Sequence, residues 1–266
     1  MLKINIIVAT HKHYEMPSDN MYIPLHVGKD GKSDIGYIGD NTGEHISYKN
    51  PYFCELTGLY WAWKNLDCDY IGLIHYRRIF SIKKLQKRVK APLRELYLSS
   101  VEAEKLLQHY DIIVPSKRRY WIETLYSHYA HTFHKEHLDV SRDIILEHCP
   151  EYICSFDRVM SQTSGYMFNM FIMRKELVND YCSWLFDILF ELENRISVEQ
   201  YDSFHARFLG RVSEVLFNVW LDKKNIDSSI RVKSIPFVYG EKINWGRKIL
   251  SFLSAKFLNK KYNKSF

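Results

Sequence analysis

The chain has few of the residues that mark fibrous, disordered or disulfide-bonded proteins. Its 266 residues include only 11 glycines and 7 prolines, which excludes a collagen-like or low-complexity chain. The five cysteines are odd in number and form no Cys-x-x-Cys pair, so we expect reduced, mostly buried thiols. No apolar run approaches the roughly 18 residues of a membrane span, and the early run 4–9 is too short for a signal-peptide core. We therefore expect a cytoplasmic protein.

Acidic residues are absent from the segment 242–266. This segment holds seven of the 37 Lys and Arg residues and none of the 31 Asp and Glu residues, so the rest of the chain is nearly neutral. Its apolar and aromatic residues share one arc of a helical wheel, a pattern typical of helices that bind membrane interfaces. We expect a single domain over residues 1–240 and a basic amphipathic tail, 241–266, on an anionic membrane surface. A helix packed on the domain, or a frayed end, is the alternative.

A second stretch without acids runs from Arg77 to Arg94 and contains eight basic residues. Clustered basic charge attracts phosphate groups of nucleotides, lipids or nucleic acids. The alternative is an ordinary solvated surface.

Strand-like and helix-like segments alternate along the chain. Continuous β-branched runs at 3–9 and 70–76 predict two buried strands. Weaker patterns predict strands at 111–115 and 166–173, and helices at 55–65, 99–108, 122–146, 175–194 and 213–221. This alternation predicts one α/β domain with an open sheet, and ligands bind such sheets at the carboxyl ends of the strands.

The two strongest strands end in side chains suited to an anionic ligand. The residues at these ends are Ala9, Thr10, His11 and Lys12 after the first strand, and His75, Tyr76, Arg77 and Arg78 after the second. Guanidinium groups bind phosphate through two hydrogen bonds, and His and Tyr add further donors. Because adjacent side chains on a strand point to opposite faces, one of the two arginines can instead be structural.

The segment 41–63 is rich in aromatic and polar residues. On the helix predicted there, Glu55 lies on one face, and Tyr60 and Trp63 lie on another. Tyr and Trp beside polar groups suit stacking on a base or sugar. Packing at the edge of the core is the alternative.

Two sets of possible metal ligands are present. Asp67-Cys68-Asp69 is an Asp-x-Asp sequence, but it precedes its strand, so we interpret it as a turn at the wrong edge of the sheet. His128, His131, His134 and His137 have helical spacing without the partners of an established zinc site. We predict that no cofactor is required, although a divalent metal is compatible with the chemistry.

Several segments together resemble one protein family. They include Val8–Lys12, Asp40–Ser47, Glu55–Asn65, Gly72–Arg78, Asn169–Met173 and Ser213-Glu214. In this order they resemble the bacterial capsular and exopolysaccharide biosynthesis glycosyltransferases long described as a domain of unknown function. The resemblance covers about residues 3–222, and its 55–65 and 75–78 segments are the most specific.

The resemblance implies a GT-A-like nucleotide-sugar fold and transfer of galactose units, including the furanose form. It also implies that His75, Arg77 and Arg78 occupy the position at which a metal ion usually neutralises the charge of the leaving diphosphate. The donor clamp would be residues 9–12 with Glu55 and the Tyr60–Trp63 helix. If the reaction inverts the sugar, Glu214 or Asp40 would deprotonate the acceptor hydroxyl, with Asn169 and Ser213 on the acceptor side.

The sequence thus favours a hexosyltransferase that moves a sugar from a UDP-sugar to a lipid-linked saccharide at the inner membrane face. A non-catalytic nucleotide- or glycan-binding module of the polysaccharide machinery is the alternative. We expect no nucleic-acid partner, because the body is neutral and has no nucleic-acid-binding motif. The oligomeric state is left open.

Overall fold

The computed structural model describes residues 2–228, residues 230–240 and the single residue 256. The strands in these residues are β1 (Ile4–Thr10), β2 (Tyr22–His26), β3 (Ile38–Gly39), β4 (Tyr70–His75), β5 (Arg78–Phe80), β6 (Ile112–Pro115), β7 (Arg118–Arg119), β8 (Ser164–Gly165), β9 (Phe171–Arg174), β10 (Val232–Ile235) and β11 (Phe237–Tyr239). The helices are α1 (Asn50–Phe53), α2 (Leu56–Asn65), α3 (Leu85–Lys90), α4 (Ser100–Leu107), α5 (Leu125–Thr132), α6 (Glu136–His148), α7 (Ile153–Met160), α8 (Lys175–Arg195) and α9 (Phe208–Asp227).

A central sheet carries the strand order β10-β6-β9-β4-β1-β2-β3. β1 pairs in parallel with both β2 and β4, and β6 pairs in parallel with β10. β9 runs antiparallel between β4 and β6. The carboxyl ends of β1, β4 and β6 therefore meet the amino end of β9 at one edge of the sheet. This mixed α/β architecture confirms the predicted fold class.

Hydrophobic layers cover both faces of the sheet because side chains alternate along each strand. On β4, Ile71 and Leu73 join the layer formed with α2, α8 and α9, whereas Tyr70 and Ile74 join the layer formed with α4. Helix α2 lies close to the sheet at Gly58, where an added Cβ would come 2.8 Å from Cγ1 of Val27. This close packing fixes the start of α2 relative to the strand ends.

The strongest predicted elements are confirmed almost to the residue. The runs at 3–9 and 70–76 form β1 and β4, and the 175–194 helix is α8. Helix α4 begins after Ser99, whose side chain accepts a hydrogen bond from the backbone N–H of Glu102 in a capping box. Local sequence and packing agree in these elements.

Three predicted elements need correction. The predicted helix at 122–146 is two helices. Thr124 forms the capping box that begins α5, and the extended backbone at Phe133 ends α5 before α6 begins. The strand at 166–173 begins only at Phe171, since Phe168 and Asn169 adopt positive φ angles of 78° and 52°. The helix predicted to begin at Ser213 begins at Phe208, so Gly210 lies inside the helix.

The predicted amphipathic tail and the domain boundary at 240/241 fall outside the described residues, apart from Lys256. Within the described part of the chain, no helix is both long and apolar enough to span a bilayer.

Candidate active site at the carboxyl edge of the sheet

Two histidines and an arginine gather where β1 and β4 end. Ala9 is paired with His75 across these strands, so His11 and Arg77 follow at the same edge. The backbone N–H of Arg77 donates to Nδ1 of His75 (3.2 Å). Burial lowers the pKa of His75 well below its usual value, and the charges of Arg77 and Arg78 lower it further. His75 is therefore neutral at pH 7, with its proton on Nε2.

His11 belongs to the same positive group. Its pKa is lowered by burial and then by the charge of Arg77. Its ring meets the buried ring of Tyr76 edge-on, with centroids 5.5 Å apart. A cluster that disfavours further positive charge favours an anionic ligand.

The remaining predicted donor residues at this edge have different environments. Ala9 and Thr10 are buried, and the hydroxyl of Thr10 donates to the backbone oxygen of Lys12 (2.7 Å). The ammonium group of Lys12 lies 5.0 Å from the ring centroid of Tyr76. Thr10 thus shapes the turn after β1, and Lys12 adds positive charge beside it.

Arg78 faces a different set of groups from Arg77. Its guanidinium lies 4.4 Å from the ring centroid of Phe168, and it interacts with the carboxylates of Glu214 and Glu55. Burial lowers its pKa, although both carboxylates oppose this shift. Its Nε is buried and has no hydrogen-bond partner among the described residues. Arg77 and Arg78 thus interact with different groups at the end of β4.

Glu214 is the half-buried carboxyl of this site. Burial raises its pKa to about 7, and the negative charge of Glu55 adds to the increase. The backbone N–H of Phe168 donates to it, and Arg78 and Arg118 also favour its charged form. A carboxyl with a pKa near 7 exchanges a proton readily at neutral pH, as a general base must.

The turn before β9 connects these charged groups. Phe168 and Asn169 both lie in the left-handed region, which costs roughly 1–2 kcal/mol for each such residue. This backbone brings the Phe168 N–H to Glu214 and the Phe168 ring to Arg78. Strained backbone of this kind is typical of functional sites.

Asn169 and Ser213, predicted on the acceptor side, are buried and bonded to each other. Nδ2 of Asn169 donates to Oε1 of Glu55 (3.0 Å) and to the backbone oxygen of Gly210 (3.0 Å). The Ser213 hydroxyl donates to Oδ1 of Asn169 (3.0 Å). Asn169 therefore positions Glu55, and Ser213 holds Asn169, rather than both facing an acceptor.

Arg207 is a site residue that the sequence prediction missed. Its charge lowers the pKa of His11 and His75, and its Nε donates to Sγ of Cys54 (3.1 Å). Cys54 itself has a positive φ of 54° immediately before Glu55. Burial raises the pKa of this thiol to about 11, so it remains protonated. Only a search for basic residues near Glu214 in the sequence could have indicated Arg207.

Asp40, the other candidate base, lies within the core. It is fully buried and accepts hydrogen bonds from the backbone N–H groups of Gly28 (2.8 Å) and Lys29 (3.0 Å). The hydroxyls of Ser47 and Thr57 also donate to it. Four donors fix the loop after β2 on this carboxylate, an environment that favours a structural role.

Tyr60 and Trp63 also lie away from the strand ends. Trp63 stacks on Phe186 of α8 with centroids 5.9 Å apart, and Tyr60 meets the same ring edge-on at 5.0 Å. The Tyr60 hydroxyl donates to Glu44 (2.9 Å). The structure therefore places both aromatics in the packing of α2 against α8, while Glu55 at the start of this segment lies in the site.

The Asp-x-Asp sequence does not fit a metal at this site. It precedes β4, and Oδ2 of Asp69 accepts from the backbone N–H of Lys3 (2.8 Å) at the opposite edge of the sheet. In residues 2–228, 230–240 and 256, no group of three His, Cys, Asp or Glu side chains is arranged to hold a metal ion.

Comparison with known proteins agrees with this architecture. The family model described as "Domain of unknown function (DUF4422)" matches residues 5–225. The apo structure of the WbbM bifunctional glycosyltransferase matches with a TM-score of 0.84 and 32% sequence identity. The match covers 90% of this chain and 46% of that chain, so this chain spans about half the length of its structural neighbour. No curated protein matches. The fold is therefore GT-A-like.

Proposed function

The chain belongs to the DUF4422 family, and we propose that it is a glycosyltransferase of glycan synthesis that uses a nucleotide-sugar donor. The observation that carries the proposal is the meeting of a cationic cluster and a carboxyl pair at one sheet edge. Arg77, Arg78 and Arg207 surround neutral His75 together with His11, and Arg78 also interacts with Glu55 and Glu214. The match to a bifunctional glycosyltransferase supports the same reaction class.

The cationic cluster binds the donor diphosphate in this proposal. Arginine fork geometry matches phosphate oxygens, and neutral His75 offers its Nε2–H as a further donor. As the sugar leaves, negative charge grows on the diphosphate, and fixed cations stabilise that charge in the transition state. These side chains take the place that a metal ion has in many enzymes of this fold.

Glu214 acts on the acceptor. Its carboxylate takes the proton of an acceptor hydroxyl as the hydroxyl oxygen forms a bond to the anomeric carbon. The bond between that carbon and the donor phosphate breaks, and its electron pair leaves with the nucleoside diphosphate. Glu55, held by Asn169, keeps the pKa of Glu214 high enough for this exchange.

The donor is proposed to be a UDP-hexose, with galactose or galactofuranose as the sugar, and the acceptor a lipid-linked saccharide. The family resemblance in residues 55–65 and 75–78 supports this choice. The experiment that tests the function is an assay of UDP release from UDP-galactose and UDP-galactofuranose, with mass spectrometry of any glycoside formed. Tight UDP binding with no turnover of any donor would favour the non-catalytic binding module instead.

Attachment to the inner face of the membrane is part of the proposal. The tail 242–266 supplies seven basic residues. Within it, Nζ of Lys256 donates to the backbone oxygen of Ile122 (2.7 Å). The neighbouring Trp121 side chain is 78% exposed. Exposed Trp beside basic residues is typical of surfaces that meet lipid headgroups.

A further inference from the structure

A cavity open to solvent lies between the start of α6 and the loop that follows α8. It has a volume of about 500 Å³, within the range of ~300–1,000 Å³ that small-molecule sites occupy. Its walls come from the break between α5 and α6 and from the loop that follows α8. The lining residues are His134, Glu136, Gln200, Tyr201, Asp202 and His205. None of them belongs to the donor cluster.

The walls of this cavity combine aromatic rings with fixed hydrogen-bonding groups. The rings of His134 and Tyr201 lie 4.9 Å apart, and those of His134 and His205 lie 5.1 Å apart. Oδ1 of Asp202 accepts from the backbone N–H groups of Phe204 (2.8 Å) and His205 (2.9 Å). Its Oδ2 contacts Nδ1 of His205 (2.8 Å). The bonds to His205 and Phe204 lower the pKa of Asp202 to about 2, so it is a fixed acceptor at neutral pH.

His205 leaves one polar atom for a ligand or water. With Nδ1 on Asp202, its Nε2 is buried and has no hydrogen-bond partner among the described residues. A buried polar atom without a partner costs roughly 1–3 kcal/mol. A hydroxyl group that reached this atom would satisfy it.

Two contacts connect the cavity to Glu214. Phe204, next to His205, lies with its ring centroid 4.1 Å from the guanidinium carbon of Arg211. Arg211 precedes Glu214 by one turn of α9 and interacts with its carboxylate. Phe204 and Arg211 therefore link one wall of the cavity to the proposed base.

We propose that this cavity binds a sugar ring of the acceptor saccharide. Sugar rings present apolar C–H faces to aromatic side chains and hydroxyls to carboxylates and amides. Glu136 and Asp202 in the walls disfavour a phosphate, which distinguishes this cavity from the donor cluster. The inference rests on the proposed function, because it assigns the acceptor side of the same reaction.

The test is saturation-transfer NMR with four probes, the methyl glycosides of galactose, glucose, N-acetylglucosamine and rhamnose. At least one glycoside should bind the full-length wild type. Its affinity should fall at least tenfold in Tyr201→Ala and in the double variant Glu136→Gln/Gln200→Ala. The double variant changes two exposed side chains, so it should remain folded. Glu199→Gln, on an exposed neighbour outside the cavity, is the matched control and should bind as the wild type does.

UDP affinity and UDP release from donor alone, measured on the same samples, separate the two proposals. Retained UDP release with weakened glycoside binding supports the acceptor cavity. The acceptor cavity is overturned if UDP release is retained and the wild type binds no glycoside. It is also overturned if UDP release is retained and both cavity variants bind the glycoside as the wild type does. Absence of UDP release from every donor in the wild type instead contradicts the proposed function.

Discussion

The pKa of Glu214 is set by the groups that surround its carboxyl in the folded protein. Burial and Glu55 raise its pKa, whereas the Phe168 N–H, Arg78 and Arg118 limit the increase. The result, a pKa of about 7, lies between that of an ordinary carboxyl and that of a permanently protonated one. A group in this state accepts a proton from a hydroxyl and returns it to water within one cycle.

This pKa predicts the pH dependence of turnover. The base must be ionised to accept a proton, so kcat/KM should rise with pH and reach half its plateau near pH 7. Glu214→Gln should lower kcat by at least ~100-fold and abolish this rise. Initial rates measured from pH 5.5 to 9 check both results. A wild-type profile that is flat across pH 7, or a Gln variant of full activity, would contradict the assignment.

Arg77 and Arg78 are predicted to determine how tightly the protein binds UDP. Each charged hydrogen bond lost from the diphosphate should cost ~1.5–3 kcal/mol, or roughly 10- to 150-fold in Kd. We expect Arg77→Ala/Arg78→Ala to weaken UDP binding by at least this amount, measured by isothermal titration calorimetry. Arg94→Ala removes an exposed charge from the same basic stretch and serves as the control. A folded double variant with unchanged UDP affinity would remove the clamp from the mechanism.

At the scale of elements, strand direction decides which residues can meet. The carboxyl ends of β1 and β4 lie together, so His11 and His75 belong to one site. Asp69 precedes β4 and therefore lies at the other edge. The two ends of one six-residue strand thus have different chemistry.

This placement predicts that the Asp-x-Asp sequence is dispensable for catalysis. Asp69→Ala removes a hydrogen bond to the Lys3 backbone, so it should cost ~1 kcal/mol of stability and keep most of the transferase activity. Activity should also survive chelation at least in part. Rates with and without EDTA, for wild type and variant, provide the measurement. Complete, metal-reversible loss together with an inactive variant would show that the motif holds a catalytic metal.

The sequence predicts those elements in which local pattern and tertiary packing agree. β1, β4 and α8 carry continuous or periodic apolar residues, and they form where predicted. Phe168 and Asn169 form a left-handed turn that local sequence does not favour, because contacts with Arg78, Glu55 and Glu214 hold it. Because tertiary contacts rather than local sequence stabilise this turn, the sequence predicts a strand at these residues instead.

The candidate site shows the same division between local and long-range information. His75 and the arginines were predicted because they end a recognisable strand. Arg207 and the role of Asn169 depend on contacts across 153 and 114 residues of sequence, respectively. Asp40 resembled a free acid in sequence, but donors 12, 11, 7 and 17 residues away along the chain enclose it. The spacing of residue types along the chain carries no signal for any of these contacts.

At the scale of the whole molecule, charge is divided between a neutral body and a basic tail. The cationic cluster occupies the sheet edge, and Lys256 of the tail contacts the 121–122 loop. This loop leads from β6, which ends at the same edge, into α5. In the proposed membrane-bound state, a bilayer that meets Lys256 would therefore lie near the edge of the sheet that holds the donor cluster.

The tail predicts a measurable membrane affinity. Each Lys or Arg near an anionic leaflet contributes ~1 kcal/mol, and a buried aromatic adds ~1.5–3 kcal/mol. Deletion of residues 242–266 should abolish co-sedimentation with anionic liposomes and slow transfer to a lipid-linked acceptor. Turnover of a short soluble acceptor should persist. Equal binding by both proteins, or binding by neither at low salt, would remove the membrane role of the tail.

We propose that sugar transfer takes place at the carboxyl edge of the sheet, between the cationic cluster and Glu214. The most direct test measures UDP release from UDP-galactose and UDP-galactofuranose in one assay, for wild type, Glu214→Gln and Asp69→Ala. We expect release by wild type and Asp69→Ala, and a loss of at least ~100-fold in Glu214→Gln with UDP affinity retained. Full turnover by Glu214→Gln, or turnover lost only in Asp69→Ala, would contradict it.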